Sequence, residues 1–398
     1  MGKITGKITY LDGIRGIAAL IVFFHHFLLA FYSAYVTFDT SASHLNNLEI
    51  RFGKSVFSVF VNGLFCVNIF FVLSGYVLSR KYFQAKKYEL IVSAAQRRFV
   101  RLYIPVSFTL ILSFILMKAG FYYNVPVSRI SHSEWWQGTF WTFPDPLAKL
   151  WHCLIFGTMF QADSSFDTSM WTLSVELYGS LFVFAILALT HNTKNLFAML
   201  VFAFLFFMLT GRENYTTFLF GISLNYVEER SIQLNKYFNT ALCFLLMIAA
   251  LILGSFPAKP DVTNTLFERI PEGMLSYSDW FPVIGAWFLV LAFVLSPAMQ
   301  KFVSFRFFRF LGYISFSFYL LHPIIIGSFS CFMFLKMYDR FGYNHAVALV
   351  FILTVIVCMA ASLLMAKYID VPGTKFSKYI YNYRVKKEQH ATPVNERL

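Results

Sequence analysis

The sequence predicts an all-α fold, a polytopic membrane helical bundle with about ten transmembrane helices. Of its 398 residues, 58% are hydrophobic and only 13% are charged, and the mean hydropathy is +0.61. A soluble domain carries roughly a quarter charged residues. Apolar runs long enough to cross a hydrocarbon core recur along the chain, and the 50 Phe and 22 Tyr suit lipid-facing and interfacial positions. We therefore expect a multi-pass membrane protein.

Ten membrane spans are predicted, of which the fifth and sixth are short. They cover residues 10–32, 56–79, 102–122, 168–189, 195–210, 215–228, 237–256, 280–296, 310–334 and 346–367. If the N-terminus is cytoplasmic, the inner segments hold most of the 33 Lys and Arg residues. Cytoplasmic loops of membrane proteins carry such an excess, so both termini are predicted to be cytoplasmic. Basic loops beside an anionic leaflet also explain the net charge of +13 without nucleic acid.

The first span carries ionisable residues at membrane depth, where they are costly and indicate function. Arg15 and His26 are eleven positions apart, so they differ by only ~20° around a helix and are separated by ~16 Å along it. His25 lies roughly 80° from that stripe, which favours a structural role. We expect Arg15 and His26 to face one cavity, with Asp12 also lining it. The alternative for His26 is a structural histidine bonded to a neighbouring helix.

The segment between the second and third spans is the most basic part of the chain. Arg97, Arg98 and Arg101 begin the transition into the third span. Guanidinium groups suit bidentate binding of phosphate, so these three predict a phosphate site on the same side as Arg15. For the basic residues in 80–87, a charge signal that sets the topology is the preferred interpretation.

Three further spans contain polar residues that suggest a site. Glu176 in the fourth span must be paired, protonated or facing water, because an unpaired buried carboxylate is costly. His322 in the ninth span precedes Pro323, so this histidine lines a kinked cavity or is structural. Ser74, next to Gly75 near the end of the second span, allows close approach of a helix or a ligand.

Counting residues from the predicted span ends gives the depth of these side chains. His26 and His322 each lie about 18 Å from the cytoplasmic end, and Glu176 leaves ~18 Å of the hydrocarbon core below it. The three are therefore predicted to share one level. Ser74 and Arg15 are predicted nearer the inner edge, at a basic mouth.

Two long loops are predicted on the outer side. Residues 121–167 suggest an outer cap, within which 150–160 is too short to span and is predicted to re-enter. The polar loop 257–279 is a candidate frame for an outer opening. The five cysteines contain no CxxC pair, so neither a metal site nor a disulfide framework is expected.

Five motifs make the sequence resemble the acyltransferase-3 family of bacterial integral-membrane O-acyltransferases. They are LDGIRGIAALIVFFHH at 11–26, FFVLSGY at 70–76, RRFVRLYIP at 97–105, MWTLSVE at 170–176 and LGYISFSFYLLHP at 311–323. They occur in the family's order along nearly the whole chain. The family's arginine-to-histidine pair falls on Arg15 and His26. The family often has two acidic residues after the tryptophan motif, whereas here Glu176 is followed by Leu177.

The resemblance implies ten core helices, a cytoplasmic acyl-CoA donor and acylation of a glycan or lipid-linked glycan. Acetyl is the family's most frequent acyl group, so acetyl-CoA is the expected donor, and no metal is expected. The expected location is the bacterial inner membrane. Residues 1–370 would form the transmembrane acyltransferase domain, and 371–398 a basic cytoplasmic tail. The acceptor and the oligomeric state stay open.

The expected mechanism assigns a role to each candidate residue. The donor phosphates and their arm would be held by Arg15, Ser74, Arg97, Arg98 and Arg101. A pantetheine arm of roughly 15–20 Å matches the rise from Arg15 to His26. His26 would act as general base or transient acyl carrier, with Glu176 fixing its tautomer or positioning the acceptor.

Two other classes of function compete with acyl transfer. A proton-coupled secondary transporter could use His and Glu residues as a relay and Pro323 in a broken helix. No inverted repeat supports this, and the arginines would need another explanation. The other alternative is a noncatalytic glycan or lipid sensor.

Overall fold

The computed structural model describes residues 9–193, 195–229, 236–257, 261–275 and 279–391, in which the regular elements are helical. The main helices are α1 (Thr9–Phe31), α2 (Gly63–Ala85), α3 (Tyr88–Lys118), α4 (Trp171–Leu189), α5 (Leu196–Thr210), α6 (Glu213–Glu229), α7 (Lys236–Gly254), α8 (Trp280–Leu295), α9 (Arg306–Phe341), α10 (Tyr343–Met365) and α11 (Val371–Ala391). Shorter α-helices are Ala34–Thr37, Leu48–Gly53, Asn124–Ile130, Pro146–His152, Thr158–Gln161, Glu272–Leu275 and Pro297–Val303.

Within the described residues, six helical segments are long and apolar enough to cross a membrane. They are α1, α2, α3, α4, α9 and the continuous stretch Tyr343–Asn382. A seventh results if α8 and Pro297–Val303, which meet at a 100° bend, form one span. The predicted all-helical multi-pass architecture is confirmed. The count of about ten spans is not confirmed, although each predicted span overlaps a helix.

Two helix starts differ from the predicted spans. The second span was placed from residue 56, but Val56–Val61 is a 3₁₀ turn, and α2 begins at Gly63 after Asn62 accepts a hydrogen bond from the Phe65 amide. The third was placed from 102, whereas α3 begins at Tyr88. Hydropathy marks the part of a helix that suits lipid, not the residue at which the helix begins. The arginines of α3 therefore lie inside a continuous helix.

Close packing of α1 against α9 brings the two site histidines together. A Cβ built on Gly16 would lie 2.6 Å from the Gly312 nitrogen, so the main chains touch here and a larger residue has no room. His26 lies ten residues after Gly16, and His322 lies ten residues after Gly312. Because both helices rise ~1.5 Å per residue, equal spacing from the contact puts both histidines at one height.

Residues 146–170 form a hairpin with a helical first arm over 146–161 and an irregular returning arm over 162–170, consistent with the re-entry predicted near 150–160. Its descending arm packs on α3, where the Tyr103 hydroxyl donates to the Leu154 carbonyl over 3.0 Å. The Asp163 amide then donates to the Gly157 carbonyl over 2.9 Å and reverses the chain. The returning arm is buried, with Phe166 fully inaccessible. Helix α4 consequently begins inside the protein rather than at its outer surface.

The last helices form one continuous path. A π-helical turn at Ala366–Asp370 joins α10 to α11, which packs on α3 with Gly373 beside Ile104. The helix thus continues past residue 370, where the basic tail was predicted to start, and residues 392–398 of that tail lie outside the described residues. All five cysteines are free and buried.

Candidate active site

Two cavities that share wall residues lie among the helices. The first, the arginine cavity, is lined by Arg15, Ser74, Arg98, Arg101, Glu176 and Asp370. The second, the histidine cavity, is lined by His25, His26, Leu29, Trp135, Trp136 and Trp171. Val67 and Tyr319 line both cavities, so they stand between them.

An ion pair crosses the wall of the arginine cavity. The Arg98 guanidinium binds the Glu176 carboxylate, and their side chains are only 7% and 14% exposed. Arg98 Nε also donates to Ser180 Oγ over 2.9 Å, and the Ser74 hydroxyl donates to Glu176. A buried charge needs such partners to offset its lost hydration. Arg98 and Glu176 are therefore ion-pair partners in this network.

The partner of Glu176 overturns the predicted common depth of the three polar residues. Glu176 lies with Ser74 in the arginine cavity, away from His26 and His322. The estimate counted α4 from the membrane surface, whereas α4 begins at Trp171, after the buried residues Thr168, Ser169 and Met170. Glu176 is therefore not placed to set the tautomer of His26.

Arg15 and Arg101 supply cationic groups without a bonded partner. Within the described residues neither forms a hydrogen bond or an ion pair, and both line the cavity that Asp370 also lines. Three arginines face two carboxylates there, which leaves a positive surplus. A positive cavity suits a phosphate-bearing ligand.

Two residues expected at the site lie elsewhere. Arg97 Nε donates to the Ser93 carbonyl over 2.8 Å, and its guanidinium lies 5.7 Å from the centre of the Tyr381 ring. Packing of α11 on α3 has diverted Arg97 from the cavity that Arg101 lines. Asp12 lines neither cavity, and its main chain packs against Gly312.

The two histidines brought together by α1 and α9 form a hydrogen-bonded pair. His26 Nδ1 lies 2.7 Å from His322 Nε2, and the two rings meet edge to edge, with their planes 14° apart and their centroids 5.0 Å apart. His322 Nδ1 lies 3.0 Å from the Phe318 carbonyl, which can only accept, so this nitrogen carries hydrogen. In the neutral pair, His322 Nε2 must then accept from His26 Nδ1–H. The lone pair of His26 is thereby assigned to Nε2.

The hydrogen-bonded histidine pair is arranged as expected for an oriented catalytic base. An imidazole whose Nδ1–H is held by a buried partner presents Nε2 to substrate in a fixed orientation. The holding partner here is His322, which is fully buried and lines neither cavity. His322 is thus placed behind His26 rather than along a pore.

His25 has different partners from its neighbour. Its Nδ1 lies 3.0 Å from the Val61 carbonyl and 2.6 Å from the Tyr35 hydroxyl. These contacts tie α1 to the chain that follows it, which agrees with the predicted structural role. The His25 ring nevertheless contributes to the wall of the histidine cavity.

Two aromatic side chains at the site were not singled out from the sequence. Trp136 stacks on His26, with centroids 5.4 Å apart and planes 21° apart. The Tyr319 hydroxyl lies 2.9 Å from Thr172 Oγ1, which itself donates to the Ser169 carbonyl over 2.8 Å. Tyr319 is the divider that makes two cavities where the sequence predicted one. Its position one turn before His322 was the available signal.

Pro323 leaves the Tyr319 carbonyl without its usual helical hydrogen bond, and another residue supplies one. Pro323 has no N–H for the Tyr319 carbonyl, and Ser169 Oγ donates to that carbonyl instead, over 3.2 Å. The returning arm of the hairpin thus closes the gap that the proline opens. Helix α9 continues past Pro323 to Phe341 through a π-helical turn at Ile326–Ser330.

One group of potential metal-ligand atoms lies outside both cavities. Donor atoms of His152, Cys153 and Asp163 lie within 4.8 Å of one another. Lys149 Nζ donates to the Asp163 carboxylate over 2.6 Å, so an ammonium already supplies positive charge there. Burial opposes ionisation of Asp163, but hydrogen bonds from Lys149 and Ser165 outweigh it and lower its pKa to about 2. This carboxylate therefore stabilises the hairpin.

Comparison with known proteins identifies the family. A family model described as an acyltransferase domain matches residues 8–363. The chain belongs to the acyltransferase-3 family. It is 21% identical to Acyltransferase R4 of Phoma sp. (strain ATCC 20986 / MF5453), with 94% of this chain and 95% of that protein covered. No solved structure matches the chain significantly.

Two further relatives are also fungal. The chain is 24% identical to Acyltransferase clz18 of Cochliobolus lunatus, over 94% of this chain and 95% of the relative. It is 24% identical to O-acetyltransferase PaAT-1 of Phomopsis amygdali, over 97% and 87%. These findings support an acyltransferase enzyme over a transporter or a sensor.

Proposed function

We propose that this protein moves an acyl group, acetyl in the first instance, from acyl-CoA to a hydroxyl of an acceptor. The observation that carries the proposal is the oriented His26 at the wall of a cavity that adjoins the arginine cavity. A base at one end and cations at the other suit a long anionic donor whose reactive group lies far from its phosphates.

The donor would span both cavities. Arg15 and Arg101 would bind the phosphates of coenzyme A, with Arg98 held in the wall by Glu176 and Ser74. The ~16 Å rise from Arg15 to His26 is comparable to the roughly 15–20 Å pantetheine arm. The thioester would then pass Tyr319 to reach the histidine cavity.

The proposed reaction follows from the tautomer of the histidine pair. His26 Nε2 takes the proton of the acceptor hydroxyl while that oxygen attacks the thioester carbonyl carbon. The C–S bond breaks, an ester forms, and the leaving thiolate receives the proton from the imidazolium. Direct attack by Nε2, with a transient acyl-imidazole that the acceptor then resolves, uses the same geometry and the same overall balance.

The location is part of the proposal. A multi-pass membrane protein with both termini in the cytoplasm would place the arginine cavity on the side where acyl-CoA is made. Reporter fusions at Leu398 and within 261–275 should give opposite signals, and matching signals would reject this topology. The bacterial inner membrane and a glycan acceptor were expected from the family resemblance, but neither is shown, and the relatives found are fungal.

The experiment that tests the proposal separates donor binding from chemistry. Purified protein should bind coenzyme A and slowly hydrolyse acetyl-CoA. The double variant Arg15→Gln, Arg101→Gln should lose binding, while Arg129→Gln, an exposed cation away from both cavities, should keep it. Folded wild-type protein that binds no coenzyme A would overturn the proposed function.

A further inference from the structure

We propose that the acceptor entering the histidine cavity is an alcohol carried on an apolar body, not a polysaccharide. This inference rests on the proposed function and names its second substrate. It comes from the chemistry of the cavity wall around His26. An acceptor must place a hydroxyl at His26 Nε2 and fit the rest of its surface against that wall.

The wall is mostly hydrocarbon and indole. Leu29, Val36 and Leu64 line it together with Trp135, Trp136 and Trp171. No Asp, Glu, Lys or Arg among the described residues lines this cavity, in contrast to the arginine cavity. Ligand sites with such walls bind apolar bodies and fix their orientation through a few polar groups.

Several polar atoms on this wall are already bonded within the protein. Ser169 Oγ bonds to Asp167 and the Tyr319 carbonyl, and the Tyr319 hydroxyl bonds to Thr172. His25 Nδ1 is held at Val61. Among the described residues, His26 Nε2, Thr168 Oγ1 and the indole nitrogens of Trp136 and Trp171 form no hydrogen bond, so the wall offers a ligand a few separate polar atoms and no charged group or amide.

A sugar unit fits this wall poorly. Indole faces can stack on a sugar ring, but its several hydroxyls would each lose hydrogen bonds to water on entry. Carboxylates and amides that would replace those bonds are not among the described lining residues. An apolar body loses no such bonds and gains from leaving water. Trp135, 46% exposed, gives the cavity an aromatic rim suited to an amphiphilic molecule.

The test compares two acceptors with one donor. Purified protein with saturating acetyl-CoA would receive 2-(2-naphthyl)ethanol or methyl β-glucoside, and ester formation would be followed by mass spectrometry. We expect kcat/KM to be at least about tenfold higher for the naphthyl alcohol. Trp136→Ala should raise KM for that alcohol while coenzyme A binding is retained. Trp151→Ala, at a 58% exposed position lining neither cavity, is the matched control.

A binding measurement keeps the inference testable if neither compound is acylated. Thr168 lines the histidine cavity, so a Thr168→Cys variant reports its occupancy through the rate of thiol labelling. Protection by the naphthyl alcohol alone supports the inference, and protection by the glucoside alone, or by neither, overturns it. Preferred acylation of the glucoside would also overturn it while leaving the proposed function intact. Loss of coenzyme A binding by wild-type protein would instead be the failure of the proposed function.

Discussion

The arginine and histidine cavities adjoin each other but differ sharply in chemistry. The first has three arginines and two carboxylates on its wall, and the second has indole, aliphatic and imidazole groups without a formal charge among the described lining residues. One suits capture of an anion and the other suits proton transfer away from competing charges. Tyr319 and Val67 keep the two environments apart over a single layer of side chains.

This difference shows how one bundle can hold a charged donor without placing its phosphates beside the reacting atoms. Electrostatic interactions strengthen where water is excluded, so an unneeded charge near His26 would perturb the base. Binding energy gained at a remote site can still position the reactive end of a substrate. The following predictions separate the contributions of the two cavities.

The largest effect is expected from removing the base of the histidine cavity. General acid–base catalysis contributes typically 10²–10⁴-fold, so His26→Ala should reduce acyl transfer by about that factor. Coenzyme A binding should persist, because Arg15 lies ~16 Å away along α1 and the other arginines line the arginine cavity. His25→Ala is the adjacent control and should mainly affect expression or packing, since its Nδ1 bonds to Val61. A dead His25→Ala with an active His26→Ala would reverse the assignment.

The next effect concerns the arginine cavity. Each hydrogen bond to a charged group contributes about 1.5–3 kcal/mol, which is roughly ten- to hundredfold in affinity. The double variant Arg15→Gln, Arg101→Gln should therefore raise the coenzyme A Kd by about 10² or more and weaken its salt dependence. Arg97→Gln should have little effect, because Arg97 is turned toward Tyr381. Titration at two ionic strengths distinguishes these outcomes, and a strong effect of Arg97 alone would contradict the geometry.

Changing Tyr319, which lies between the cavities, should have an intermediate effect on acyl transfer and should alter the balance between transfer and hydrolysis. Tyr319→Phe removes one neutral hydrogen bond, worth about 1 kcal/mol, and should change transfer by about fivefold. Tyr319→Ala should join the cavities and admit water to the thioester, which raises acceptor-independent hydrolysis relative to transfer. The ratio of free acetate to ester product measures this. An unchanged ratio in folded Tyr319→Ala would mean that Tyr319 does not separate the two environments.

The smallest effect lies outside both cavities, in the hairpin. The pKa of Asp163 is lowered from 3.8 to about 2, so the folded state favours its charged form. Its stabilising contribution is present above pH 3.8 and is lost as the pH falls toward 2. Asp163→Asn should lower the thermal midpoint at pH 7, and the difference from wild type should narrow as the pH falls from about 4 to about 2. If the difference in thermal midpoint did not change with pH, the stabilisation by the Lys149–Asp163 contact would not depend on the charge of Asp163.

The sequence was informative where a property belongs to a single helix. Burying Arg15, His26, Glu176 and His322 in apolar helices is costly whatever their partners, so hydropathy alone singled them out. The angular separation of His25 from the Arg15 stripe is likewise a local property. Arg97 shows the limit of this reasoning. It precedes Arg101 by four residues and so shares its helical face, yet its guanidinium packs on Tyr381 of α11.

The sequence by itself predicted an all-helical membrane protein and the family to which its motifs belong. It also identified the ionisable residues whose burial in apolar helices is costly. Only the tertiary structure decided which of those residues are partners. Arg98 and Glu176 are 78 positions apart, and His26 and His322 are 296 apart, so each pairing depends on how distant helices pack. Gly16 and Gly312 set one such contact, and the buried start of α4 set the other. Helical periodicity reports the direction of a side chain, whereas the identity of its partner depends on the depth and position of the opposing helix.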